Sequence, residues 1–194
     1  MSRVFVLLLL LGLAGCGERP PAVFNNVELT GADFGRSLNN LRDHRRQPAS
    51  LVDFHGKVVL IFFGYTFCPD ICPTALTRFA EVMARLGTDV ERVQVLFVTL
   101  DPQRDTPERL AGYVPWFYPT FIGLYGDDAA TDAAAREFKV YYARSVGGDG
   151  ANYTIDHSAG AYVIDPAGKI RLYLKDGAPT DAIVSDLQYL LAGK

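Results

Sequence analysis

Two cysteines, Cys68 and Cys72, stand four residues apart in the segment Cys-Pro-Asp-Ile-Cys-Pro, and a histidine, His157, lies far downstream in Asp156-His157-Ser158. If the intervening turn is helical, side chains at this spacing come within about 5–6 Å of one another. The chemistry open to the pair is metal binding, thiol–disulfide exchange or a structural disulfide. A disulfide here would close a very short loop and restrict little unfolded-chain entropy, which weighs against a purely structural bond. A helix beginning beside the pair favours thiolate over thiol, because its first N–H groups stabilise an anion.

These residues need a frame. Val58 to Phe63 is a continuous β-branched and aromatic run, as expected of a strand buried on both faces, and the cysteines follow at its C-terminal end. From Cys72 the apolar positions Leu76, Phe79, Met83 and Leu86 recur at helical spacing, with Pro73 suited to the first turn. Then come a strand over Val93 to Leu100, a helix from Pro107 to about Trp116, a short strand Phe121 to Tyr125 and a helix near Thr131 to Tyr141. Gly160 to Ile164, an Asp-Pro-Ala-Gly turn and Ile170 to Leu174 read as a hairpin, and a helix over about Pro179 to Leu191 closes the chain. Strands alternating with helices and ending in a hairpin predict an α/β fold of thioredoxin-like plan, a central mixed sheet flanked by helices with one extra βα unit. Residues 23–55 carry no clean period and are assigned a leading β-hairpin drawn from Val27 to Leu29, Phe34 to Leu38 and Leu51 to Phe54. The basic run Arg42 to Arg46 reads as a solvated loop with His44 exposed, and His55 beside Gly56 reads as a turn residue.

In that plan the strand after His157 starts beside the cysteine loop, so the imidazole can approach both sulfurs. Two thiolates and one imidazole form a soft three-donor set suited to Cu(I) and adaptable to Cu(II), whereas a structural zinc site takes four protein ligands. Asp156 is expected to orient His157 through its second ring nitrogen. Phe63, Tyr65 and Phe67 are expected to pack around the site and shield it. In the loop Asp101 to Pro107, Thr106 or Asp105 is expected to cap the following helix, with Asp101 shaping the site from below.

The chain opens with Arg3, the apolar run Val4 to Leu13 and then Leu-Ala-Gly before Cys16. A bilayer-spanning helix needs about 20 apolar residues, so this shorter run predicts a cleaved export signal over residues 1–15 rather than an anchor. Leu-Ala-Gly-Cys resembles the lipobox of bacterial lipoproteins, which implies a lipid on Cys16, a tether over residues 16–22 and a domain over 23–194 on the periplasmic or extracellular side of a membrane. Of three cysteines, that leaves Cys68 and Cys72 as a pair in an oxidising compartment. The net charge of −3 from 19 basic and 22 acidic residues offers no footprint for nucleic acid. With 49% hydrophobic residues in 194, the chain has enough apolar material for one full core.

Three stretches, GKVVLIFFGYTFCPDICP, VTLDPQRDTPERLAGYV and IDHSAGAYVIDPAGKI, resemble the Sco/SenC family of copper chaperones in content, order and spacing. The resemblance covers residues 56–170. It implies copper ligands at Cys68, Cys72 and His157, and a role in loading or reducing the binuclear copper site of cytochrome c oxidase. The implied partners are the copper-bearing oxidase subunit and other copper carriers. Many family members keep a transmembrane anchor where this chain has a lipobox. The competing reading is a thiol–disulfide reductase using Cys68 and Cys72. Thioredoxin-type reductases use a closer cysteine spacing and a proline facing it, and His157-Ser158-Ala159 supplies none. A peroxiredoxin-type peroxidase calls for threonine at position 65, which is Tyr65. The chain thus reads as a carrier rather than an enzyme.

Overall fold

The strand before the cysteines, Val58–Gly64, is buried at every position, as its unbroken apolar sequence requires. Phe62 and Phe63 are both fully buried, each stabilising the fold by about 1.5–3 kcal/mol relative to exposure. The structure is a computed structural model and describes residues 23–146 and 153–193. In chain order the strands are β1 (Val27–Glu28), β2 (Leu41–Asp43), β3 (Pro48–Ala49), β4 (Val58–Gly64), β5 (Val93–Thr99), β6 (Ile122–Tyr125), β7 (Tyr142–Val146), β8 (Tyr153–His157), β9 (Ala161–Ile164) and β10 (Ile170–Leu174). The α-helices are α1 (Ile71–Arg85), α2 (Pro107–Phe117), α3 (Asp128–Glu137) and α4 (Thr180–Leu191). Eight strands form one mixed sheet in the order β1-β10-β9-β4-β5-β6-β2-β3. Within it β4, β5 and β6 are parallel, and β9 runs antiparallel to β4. This is the expected thioredoxin-like plan with an added βα unit.

The N-terminal region differs in detail. Its hairpin exists, but Leu41–Asp43 and Pro48–Ala49 build it, and β2 also pairs with β6. Val27–Glu28 joins β10 at the far edge instead, Phe34 to Leu38 is not a strand, and Leu51–Phe54 is a 3₁₀ turn capped by Ser50. The basic run Arg42 to Arg46 is therefore part of a hairpin. His44 is buried at 8% exposure rather than exposed, because its backbone N–H donates to Gly123 O and its Nδ1 accepts from Gly123 N–H at 3.0 Å. Burial and the neighbouring Arg45 hold the His44 pKa below its ordinary value.

A second difference matters more. His157 does not hang from a loop before β9; it ends β8, which pairs antiparallel with β7 in a two-stranded ribbon outside the main sheet. Residues 1–22 lie outside the described part of the chain, so the expected signal, the expected lipobox at Cys16 and the expected tether do too. Among the described residues no helix is long and apolar enough to cross a membrane.

Candidate metal centre

The chain leaves β4 at Gly64, where a side chain would not fit, since a Cβ would stand 2.6 Å from Cys72 Sγ and 3.0 Å from the Phe97 ring. The next residues are tied to the loop after β5. Thr66 N–H and its hydroxyl both donate to the carboxylate of Asp105, at 2.9 and 2.5 Å, and the Thr99 hydroxyl adds a third bond at 2.6 Å. Asp105 is buried, and that burial raises its pKa despite the hydrogen bonds that oppose the shift. It does not cap α2; Thr106 does, accepting from Arg109 N–H.

Cys68 lies before α1, held by its N–H bond to Tyr65 O at 3.2 Å, and Cys72 is the second residue of the helix. Pro73 follows as the third. The pair is thus joined across a helix N-terminus, with Cys72 N–H donating to Cys68 Sγ at 3.4 Å. Both are free thiols, Cys68 half-buried and Cys72 fully buried. A hydrogen bond from the Cys72 thiol, then His157 and backbone N–H groups, pull the Cys68 pKa down to about 3 against the cost of burial. The same hydrogen bond, burial and the Cys68 charge push the Cys72 thiol far up. One proton is shared between two sulfurs, with the negative charge on the more accessible one.

His157 faces them from β8. Its Nε2 is 3.6 Å from Cys72 Sγ, and the three donor atoms of Cys68, Cys72 and His157 all lie within 4.8 Å of one another. The other ring nitrogen, Nδ1, is 2.9 Å from Ser158 O. A carbonyl can only accept, so Nδ1 carries a proton, and Nε2 is the ring nitrogen that faces the sulfurs. Asp156 does not orient the ring; it is exposed, because alternation along β8 turns it to the opposite side from His157. Ser158 itself is fixed by Tyr141, whose N–H donates to its hydroxyl and whose carbonyl accepts from its N–H.

The aromatic surround also changes. Tyr65 and Phe62 set ring edges against His157 at centroid distances of 6.0 and 6.2 Å. Phe63 points to the other face of the sheet and packs on Phe138, as strand alternation dictates. Phe67 is 45% exposed and lies under the guanidinium groups of Arg104 and Arg109.

Sequence reasoning missed what holds β8 in place. Tyr153, at the start of that strand, donates its hydroxyl to the fully buried carboxylate of Asp101 at 2.6 Å. Arg104 pairs with the same carboxylate, donates to Tyr153 O at 3.0 Å and lies 3.5 Å over the Tyr153 ring. The loop Asp101 to Pro107 therefore serves both halves of the centre: Asp105 holds the cysteine loop, and Asp101 with Arg104 holds the histidine strand. An open groove lined by Tyr65, Cys68, Ile71, Ile155 and His157 connects the donor atoms to solvent.

The donor set fits a soft ion: two sulfurs, one already anionic, and one imidazole nitrogen converge on a point reachable from outside. Fold and site together define a thioredoxin-like domain whose cysteine pair, four residues apart, and facing histidine form a cluster that could hold a metal ion. The chain belongs to the SCO1/SenC family, whose model matches residues 28–192. It is 38% identical over 159 residues to a SCO2-like protein of Rickettsia felis, covering 81% of this chain and 75% of that protein. It is 35% identical over 166 residues to the mitochondrial SCO2 homolog of Mus musculus, covering 84% of this chain and 65% of that one, so it spans slightly less than two thirds of the mouse protein. Among solved structures, ScoI of Bradyrhizobium japonicum with copper bound superposes with a TM-score of 0.72 at 31% identity, over 87% of this chain and 99% of that one. BsSco, a member of the Sco family of cytochrome c oxidase assembly proteins, shares the fold at 23% identity and a TM-score of 0.63, over 88% and 96% of the two chains.

Proposed function

We propose that Cys68, Cys72 and His157 bind one copper ion and that the protein delivers it to the binuclear copper site of cytochrome c oxidase. The observation that carries this reading is the convergence of the Cys68, Cys72 and His157 donor atoms within 4.8 Å of one another, with His157 Nε2 facing the sulfurs. The copper-bound relative from Bradyrhizobium supports the choice of metal. The partners are the copper-bearing oxidase subunit and, upstream, other copper carriers. Export, cleavage before Cys16 and acylation of that residue place the domain on the outer face of a membrane.

One observation favours a second reading, reduction of a disulfide in that oxidase site. Cys68 is an accessible thiolate and Cys72 a buried thiol, the polarity a dithiol reductant needs. Cys68 would attack a partner disulfide and release one partner thiol. Cys72, losing its proton, would then displace the second, leaving a Cys68–Cys72 disulfide and a two-electron-reduced partner. His157→Ala separates the two, because it deletes a ligand and leaves both sulfurs. The variant should lose tight Cu(I) binding in chelator competition and fail to support a copper-loaded oxidase in cells, while its dithiol still cycles. Full oxidase loading by the variant would overturn the carrier reading in favour of the reductase.

A further inference from the structure

The end of the domain opposite the metal centre has its own character. β4 and β5 are parallel, so their first residues, Val58 and Val93, mark that end and the cysteine loop marks the other. The last turn of α4 lies there, since Arg92 donates to Leu191 O at 2.8 Å. So does the segment after α2, because the Gln94 side chain donates to Thr120 O at 2.6 Å. At this end Trp116 is 79% exposed at the tip of a stretch, residues 110–122, that contains no charged side chain. Val52, in the turn leading into β4, is 65% exposed, and Val23 is 88% exposed.

The described chain also starts here, with the Phe24 ring set edge-on against Tyr189 in the last turn of α4 at 5.3 Å. Six residues separate Val23 from Cys16, which makes seven Cα–Cα steps. Fully extended they span at most about 25 Å. An acyl group on Cys16 would therefore keep this end, and not the metal end, next to the bilayer.

We propose that this end, tipped by Trp116, Val52 and Val23, rests in the interfacial layer of the membrane that holds the Cys16 lipid. The inference builds on the proposed acylation of Cys16. Tryptophan is suited to that layer, where its ring is half in contact with hydrocarbon and its N–H meets water. Tethering supplies a high local concentration, so a small apolar contact suffices. Charges at this end are mixed, with Asp89 and Glu91 near β5 and Lys57 and Lys169 near the strand starts, so the contact does not depend on anionic lipid. Seated this way, the domain presents its metal centre away from the lipid surface.

The chain has a single tryptophan, which makes the test direct. The copper-free mature protein is extracted from membranes, its N-terminal mass is measured, and it is reconstituted into phosphatidylcholine vesicles with and without bromine on the acyl chains. With lipid on Cys16, Trp116 emission should shift to shorter wavelength than in a Cys16→Ser soluble form, lose intensity to bromolipid and resist aqueous iodide. Lipid on Cys16 with unshifted, iodide-accessible emission overturns the docking while leaving the anchor intact. A shift that ignores bromolipid and grows with protein density means a second copy covers Trp116, which also overturns it. An unacylated N-terminus removes the anchor and this inference together.

Discussion

Tyr153→Phe removes a single hydroxyl from the histidine side of the centre and nothing else. The ring stays for Arg104 to stack on, and the Tyr153 carbonyl still accepts from Arg104. What is lost is a 2.6 Å bond to the carboxylate of Asp101, which is 0% exposed and so is shielded from bulk solvent. A hydrogen bond to a charged group contributes about 1.5–3 kcal/mol. In a chain of this size each kcal/mol moves the melting temperature by about 2–4 °C, so the copper-free variant should melt about 3–12 °C lower. Because the bond lies at the root of β8, amide exchange should rise in Tyr153–His157 before it rises in α4. Residues that orient a ligand typically affect metal affinity by about 10–100-fold, and Cu(I) affinity in chelator competition should fall within that range. A variant that keeps wild-type melting temperature, β8 protection and copper affinity would refute the claim that Asp101 and Tyr153 position His157.

Gly64→Ala should destabilise the fold by about 1–3 kcal/mol through overpacking, because the new methyl meets Cys72 Sγ at 2.6 Å in a buried strand; denaturant midpoints measure it. Alkylation of the copper-free protein should modify Cys68 at a rate nearly independent of pH between 5 and 8, since its pKa of about 3 leaves it ionised throughout, and should spare Cys72; peptide mass mapping distinguishes the sites. Cys72→Ala should restore a rising rate with pH, because it removes the donor whose hydrogen bond lowers the Cys68 pKa. His44 is held below its ordinary pKa when folded, so the unfolded chain binds the extra proton as pH falls through about 6.5. Stability should therefore decline as pH drops from that value toward the folded pKa, and His44→Asn should flatten this dependence in denaturation series at pH 5, 6 and 7.5.

The parts of this molecule that were readable from sequence are those with one dominant local cause. Val58 to Phe63 could be read as a buried strand because every position is apolar, and Pro107 could be read as a helix start because Thr106 precedes it. The convergence of Cys68, Cys72 and His157 was readable because the cysteines stand four apart at a strand end and the thioredoxin-like plan brings the segment before β9 beside them. The β7–β8 ribbon is not evident from the sequence although Gly147-Gly148-Asp149-Gly150 between Tyr142–Val146 and Tyr153 is a turn signal, because Ala143-Arg144-Ser145 carries no apolar alternation to mark a strand. The sequence suggests Asp156 as the partner of His157, and Ser158 O is the partner found, because side-chain chemistry is visible in a sequence and the direction of a backbone carbonyl is not. His44 shows the same limit: nothing local reveals that the β6 backbone covers it and pairs with it.

The ribbon gives the centre a mechanical asymmetry. Both sulfurs belong to the chain that runs from the middle of the main sheet into α1, whereas the imidazole rides on two strands that pair only with each other. An ion held by all three would join two parts of the chain that are supported separately, the cysteine loop by Asp105 and the histidine strand by Asp101 and Arg104. A change at either carboxylate would then disturb one side of the ligand set and leave the other in place.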